Sequence, residues 1–292
     1  MIDLVLDAFG SDLTRRALLG GLLAATTTAL IGTWVVVRGL AFFGEALAHG
    51  VLPGIALAVI WGFDVTLGAF VSVAVMVAGI NLVHRTTRLP EDTGIGLLFV
   101  GMLAIGVVII SRESTYAGDL TGFLFGDVLA VRAPELRLEA LALGVTLVGV
   151  VIGHRAFLAL SCGREKAAAL GLRPAVAHAA MLALLALAVV SSFRAVGTLL
   201  VFGLIVAPPA TATLLARRLP AIMGVAVVVG WIAVVVGLTV SYHADTAASA
   251  SVAGAAVAQF FAVLAVSELI GGTRRWRASR QRPAASAHPT IP

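Results

Sequence analysis

Long, unbroken apolar runs dominate this chain. There are about nine, each near the ~20 residues that an α-helix needs to cross a ~30 Å hydrocarbon layer. No other feature constrains the fold as strongly. Lipid offers the backbone no hydrogen bonds, so a spanning segment must satisfy its own amides as a helix or close into a barrel. The runs are rich in Ala, Val, Leu and Gly and lack the strict alternation of barrel strands. They cover about 17–37, 40–61, 65–83, 94–110, 136–153, 175–193, 196–215, 221–241 and 247–270. Composition agrees: 60% of the 292 residues are hydrophobic and 12% are charged, against ~45–50% and ~25% in soluble domains. The sequence therefore predicts an all-α integral membrane protein.

The connecting segments set the domain organisation. Residues 1–270 read as one transmembrane unit, and 271–292, rich in Arg, Ser and Pro, read as a disordered basic tail. The stretch 111–135 contains GFLFGDVLAV at 122–131; it is too short to span and too apolar for a solvated loop, so a re-entrant or surface-lying helix is expected. The start, MIDLVLDAFGSDL, is acidic where a cleaved signal would be basic, so none is expected. Cys162, the single cysteine, rules out an intrachain disulfide. An alternating topology puts fourteen of the twenty basic residues on one side, among them Arg85, Arg88, Arg155, Lys166, Arg217 and the tail arginines. That side is cytoplasmic by the positive-inside rule, giving an outer N-terminus and a cytoplasmic C-terminus. This distribution also explains the sequence pI of about 10.6 without nucleic acid. Asp64, Glu113, Asp119, Asp127, Glu135, Glu139 and Asp245 then fall on the outer side, where negative charge attracts cations.

One apolar run carries chemistry. In FFGEALAHGVLPG, 42–54, Glu45 and His49 stand four residues apart. A helix stacks such a pair on one face, aiming an oxygen and a nitrogen ligand at one spot, as a divalent transition metal requires. The same spacing also suits a buried pair that ties two helices together. Gly50 and Pro53 follow and predict a helix break, because proline removes a donor and clashes with the preceding turn. Pro208 and Pro209 predict another in the seventh span. His243 and Asp245, in SYHAD, lie at the outer end of the eighth span, where they form either a cation contact or an ordinary solvated pair. The polar segment 161–174 contains REKAAALGLRP, a short helix-prone stretch ended by Gly171, Arg173 and Pro174. Lys166, the only lysine, sits between Glu165 and Ala167, so the chain has no Gly-Lys-Ser/Thr phosphate loop. GxSxG, HExxH and CxxC motifs are also missing, and an enzyme is not expected.

TWVVVRGLAFFGEALAHGVLPGIALAV (33–59), GFLFGDVLAV (122–131) and FRAVGTLLVFGLIVAPPATATLLARR (193–218) resemble the zinc/manganese-type ABC importer permease family. The resemblance covers nearly the whole chain. It implies a type II ABC importer permease that acts as a homodimer in a bacterial inner membrane. The implied partners are two cytoplasmic ABC ATPases and an extracytoplasmic metal-binding protein. It implies a coupling helix at about 159–172, with Arg164, Glu165, Lys166, Ala168 and Gly171 at the ATPase contact. Glu45 and His49 become metal ligands on the path of Zn²⁺ or Mn²⁺, a transported substrate rather than a resident cofactor, with zinc favoured. The family usually has Asp where this chain has Glu45, which leaves the choice of metal open. A permease for siderophore, haem or cobalamin, and an ion-coupled secondary transporter, are the rival readings.

Overall fold

The computed structural model describes residues 11–87, 89–111 and 131–280. Among the described residues there are eleven α-helices and no strand: α1 (Asp12–Val37), α2 (Ala41–Gly50), α3 (Leu52–Trp61), α4 (Val65–Thr86), α5 (Glu91–Ser111), α6 (Ala133–Ser161), α7 (Arg164–Ala169), α8 (Pro174–Val196), α9 (Thr198–Leu215), α10 (Leu219–Ala244) and α11 (Ala248–Arg280). Eight segments are long and apolar enough to span a bilayer, with α2 and α3 together counting as one; α9 adds a shorter apolar helix, Leu200–Leu215. These match the nine runs of the sequence in order.

Local chemistry fixes the helix ends. Ser11 Oγ accepts from Thr14 N at 3.2 Å, and Asp64 Oδ1 accepts from Leu67 N at 2.9 Å, so α1 and α4 start on side-chain caps. Proline occupies the first turn of α6, α8 and α10, where its missing N–H costs no helical bond. Gly62 (φ 72°) closes α3, and Gly197 (φ 80°) separates α8 from α9. Two spans run past the ends read from hydropathy: α6 continues to Ser161, and α11 is helical to Arg280. Most of the 111–135 stretch, including GFLFGDVLAV, lies outside the described residues.

The hub of the bundle is α1, which packs on α6, α8, α9 and α10. Its buried positions include Ala17, Gly20, Gly21, Ala24, Ala25, Ala29 and Gly32, small residues that let neighbouring backbones approach closely. Thr27, Thr28 and Thr33 are fully buried there too, yet each returns its hydroxyl to a carbonyl one turn back, at 2.6–2.9 Å. At the α7 end Trp34 anchors the hub, edge-on to Phe157 (5.5 Å) and His154 (5.4 Å). By contrast, large aliphatic side chains of α4, α5, α6 and α10 stand exposed, for example Leu67, Val100, Ile152 and Val236. A bilayer covers such faces; water would not leave so many uncovered.

The interruption expected at Pro208–Pro209 is absent, because α9 runs through both prolines without a break. Pro209 has no N–H for the carbonyl of Ile205, and that oxygen instead sits against Gly32 of α1, so closely that a Cβ there would collide with it. The absence of a side chain at Gly32 leaves room for that carbonyl between α9 and α1.

Candidate metal centre

The break expected after His49 is present. Helix α2 ends at Gly50, Val51 forms a one-residue turn, and α3 resumes with Pro53 in its first turn. The carbonyl of Gly50, at the break, accepts a 2.7 Å bond from the buried hydroxyl of Ser72 on α4. Neighbouring side chains leave Gly50 no room for a Cβ, since Met76 Sδ occupies that space. One turn on, Gly54 meets Gly68 of α4 backbone to backbone; a Cβ on Gly54 would strike Gly68 O and lie 2.6 Å from Ser72 Cβ. These close contacts lock the break in place, and the last turn of α2 presents its side chains from a fixed base.

On that turn, Glu45 Oε1 and His49 Nε2 are 2.9 Å apart, the i,i+4 pairing that the spacing predicts. The pair is neither core nor surface, with side chains 29% and 26% exposed. Around it α2 is tightly packed: Phe43, Ala46, Leu47 and Ala48 are buried, against neighbours on α5, α9, α8, α1 and α4. Beyond its first residue, only the stripe Phe42–Glu45–His49 opens outward, and Phe99 of α5 borders it, its ring 5.5 Å from Phe42 and 5.6 Å from His49. The other imidazole nitrogen, Nδ1, is buried and has no hydrogen bond among the described residues. A carboxylate oxygen and an imidazole nitrogen thus converge on an aromatic-edged opening. This N/O donor set, without thiolate, suits first-row divalent ions such as Mn²⁺, Fe²⁺ and Zn²⁺. One chain supplies two ligands, and no cluster of three or more His, Cys, Asp or Glu exists among the described residues.

The other candidate residues fall elsewhere. His243 and Asp245 are exposed at the end of α10, which packs on α1, α9 and α11. His243 Nδ1 is held by Thr239 O at 2.9 Å, and Asp245 takes the left-handed conformation that caps the helix (φ 50°). The segment expected to form one short helix over 159–172 is divided, because residues 159–161 still belong to α6. Arg164 opens α7, which spans six residues between Gly163 (φ 122°) and Gly171 (φ 72°). Ala167 is buried and anchors it, while Glu165, Lys166, Ala168 and Leu170 face outward. His178 is buried and pairs with Arg38 through a 3.1 Å contact between Nδ1 and Nη1, joining α8 to the end of α1.

Sequence reasoning misplaced one ionisable residue. Glu139, expected on the acidic outer side, is fully buried inside the bundle and accepts a 2.9 Å bond from Ser192 Oγ of α8. Glu139 lies six residues into the helix that begins at Ala133, with an apolar run on its C-terminal side.

Known proteins match this architecture along almost all of the chain. The model of the ABC 3 transport family matches residues 11–267. A probable iron transport system membrane protein of Haemophilus influenzae is 33% identical over 269 residues, 92% of this chain and 99% of the relative. A manganese transport system membrane protein, MntC, of Halalkalibacterium halodurans is 32% identical, covering 92% of each chain. The chelated iron transport system membrane protein YfeD of Yersinia pestis is also 32% identical, over 85% of this chain and 83% of its own. Among solved structures, PsaBC from Streptococcus pneumoniae in complex with Fab superposes with a TM-score of 0.79 at 28% identity, over 90% of this chain and 95% of that one. With the family model matched over residues 11–267 and relatives more than 30% identical across most of the chain, the chain belongs to the ABC 3 transport family.

Proposed function

We propose that the chain is the permease subunit of an ATP-driven importer of divalent transition metal ions. It works as a homodimer with two cytoplasmic ABC ATPases and an extracytoplasmic metal-binding protein, in a bacterial inner membrane, with the N-terminus outside and the C-terminus inside. The observation that carries this reading is the Glu45–His49 pair, 2.9 Å apart on the one outward-opening stripe of an otherwise packed helix. A closed four-ligand site would hold the ion too tightly for transport, whereas two ligands from each of two copies complete a shell that separates as the copies move. Relatives bear manganese and iron in their names, which favours Mn²⁺ or Fe²⁺ over zinc.

In this mechanism the binding protein releases the ion at the outer mouth, where His243 and Asp245 offer a first, solvated contact. Glu45 and His49 take it up near the membrane midplane. ATP-driven closure of the partner ATPases pushes on α7 through Glu165, Lys166 and Ala168. The bundle then reorients about the α2–α3 break at Gly50 and Pro53 and about the proline-bearing α9. ATP hydrolysis belongs to the partner, since this chain has no phosphate loop.

The test is uptake of Mn²⁺, Fe²⁺ and Zn²⁺ in proteoliposomes containing the chain, its ATPase and its binding protein. Glu45→Ala and His49→Ala abolish uptake while the complex still assembles; normal uptake by either variant refutes the site. A second reading, a chelate permease, takes its support from the chelated-iron name of one relative. Competition between free and chelated metal separates the two, and uptake by this chain without an ATPase identifies a secondary transporter instead.

A further inference from the structure

A groove of about 610 Å³ runs along the outer faces of α6 and α8. Small residues hollow it out: Gly149 and Gly153 on α6 face Ala180 and Ala183 on α8. Its floor is sealed, because a Cβ on Gly149 would lie 2.7 Å from both methyl carbons of Leu184. Its sides are open, with Ile152 at its edge 78% exposed. From Val145 to Phe157 the α6 wall is ~18 Å long at the ~1.5 Å rise per residue, close to one leaflet of a ~30 Å hydrocarbon core.

A single charged residue, Arg173, lines the groove, at the end where α6 and α8 meet the α7 connection. Arg173 is exposed at the start of α8 and makes no ion pair among the described residues. A cation without a protein anion, at the mouth of an apolar channel one leaflet deep, matches the layout of a phospholipid: a chain below and a phosphate above. A second copy of the protein would cover the apolar walls but would have to bring a carboxylate to Arg173. A free anion would use the guanidinium and leave the channel empty.

We propose that this groove holds an acyl chain of an anionic membrane phospholipid whose phosphate sits on the Arg173 guanidinium. The lipid fills the space that the glycines and alanines leave between α6 and α8, and ties the end of α6 to the start of α8 on either side of α7. Assignment to the cytoplasmic leaflet rests on the orientation proposed above; binding itself does not.

Native mass spectrometry of the full chain in detergent tests this, using phosphatidylglycerol and phosphatidylcholine with identical acyl chains. The wild type retains phosphatidylglycerol about five-fold more strongly, the contribution of one arginine near a lipid surface. Arg173→Gln, a change at an exposed position, removes that preference and leaves phosphatidylcholine binding unchanged. Ala183→Trp, which fills the groove, loses both lipids, and excess inorganic phosphate displaces neither from the wild type. Four results overturn the proposal: equal retention of the two lipids by wild type, an undiminished preference in Arg173→Gln, displacement by inorganic phosphate, or unchanged lipid counts in Ala183→Trp.

Discussion

Two carboxylates inside this bundle have opposite surroundings, and their chemistry separates accordingly. Glu45 faces an opening, shares a 2.9 Å contact with His49, and keeps about a third of its side chain accessible. Replacing it with Gln preserves size and a hydrogen bond to the imidazole but removes the charge that a divalent ion needs. Glu45→Gln therefore lowers metal uptake at least about ten-fold, the minimum loss expected for a ligand when outer-shell changes alone cost 10–100-fold. Thermal unfolding should not move, and a variant that loses stability and uptake together would show a structural pair instead. Glu139 is enclosed. Ser192 donates to its Oε1, while Oε2 has no hydrogen bond among the described residues. Glu139→Ala leaves the Ser192 hydroxyl unpaired beside a cavity and costs about 1–3 kcal/mol, read as a lower unfolding temperature in detergent. Glu139→Gln keeps an acceptor for Ser192 and retains stability. Sequence spacing was enough to find the first carboxylate. It misplaced the second because hydropathy shows only that a glutamate stands near a span end; which way the helix turns that residue depends on neighbours distant in sequence.

At the scale of elements, backbone accounting explains both the breaks and their absence. The α2–α3 break persists because Ser72 supplies the hydrogen bond for Gly50 O. Ser72→Ala removes that donor at a buried carbonyl and destabilises the protein by about 1–3 kcal/mol, with a matching fall in unfolding temperature. The Gly54–Gly68 crossing admits no side chain, so Gly54→Val separates α3 from α4 and lowers the yield of folded protein, seen by size-exclusion chromatography. Order, number and approximate limits of the spans were legible in the sequence, because lipid imposes one length on every helix. Pro208 and Pro209 misled for a physical reason: how a helix accommodates proline depends on what its freed carbonyl packs against, and Gly32 sits 177 residues away from Pro209 in sequence. The α7 segment was found as a short helix. Its true length depends on Gly163 and Gly171, whose positive φ angles no hydropathy profile contains. Among the described side chains of α7 only Ala167 is buried, which suits the ATPase contact proposed above. Ala168→Asp, on the exposed side, should weaken ATPase co-purification and leave the unfolding temperature within about a degree of wild type, as surface changes generally do.

For the whole molecule, orientation can be tested with a residue the chain already has. Cys162 is the only cysteine, and it is exposed beside α7. A membrane-impermeant maleimide should label it in inverted vesicles and not in intact cells; labelling of intact cells reverses the proposed topology. The small-residue helix at the centre has a further consequence, one of timing. During synthesis α1 enters the membrane first, yet its main packing partners α6, α8, α9 and α10 all begin at residue 133 or later. Through that delay it stands in lipid with its glycines and alanines uncovered. Its threonines can wait without cost, because each buried hydroxyl is already bonded to a carbonyl of α1 itself. A nascent chain stalled before Ala133 would hold an inserted helix whose main packing partners do not yet exist.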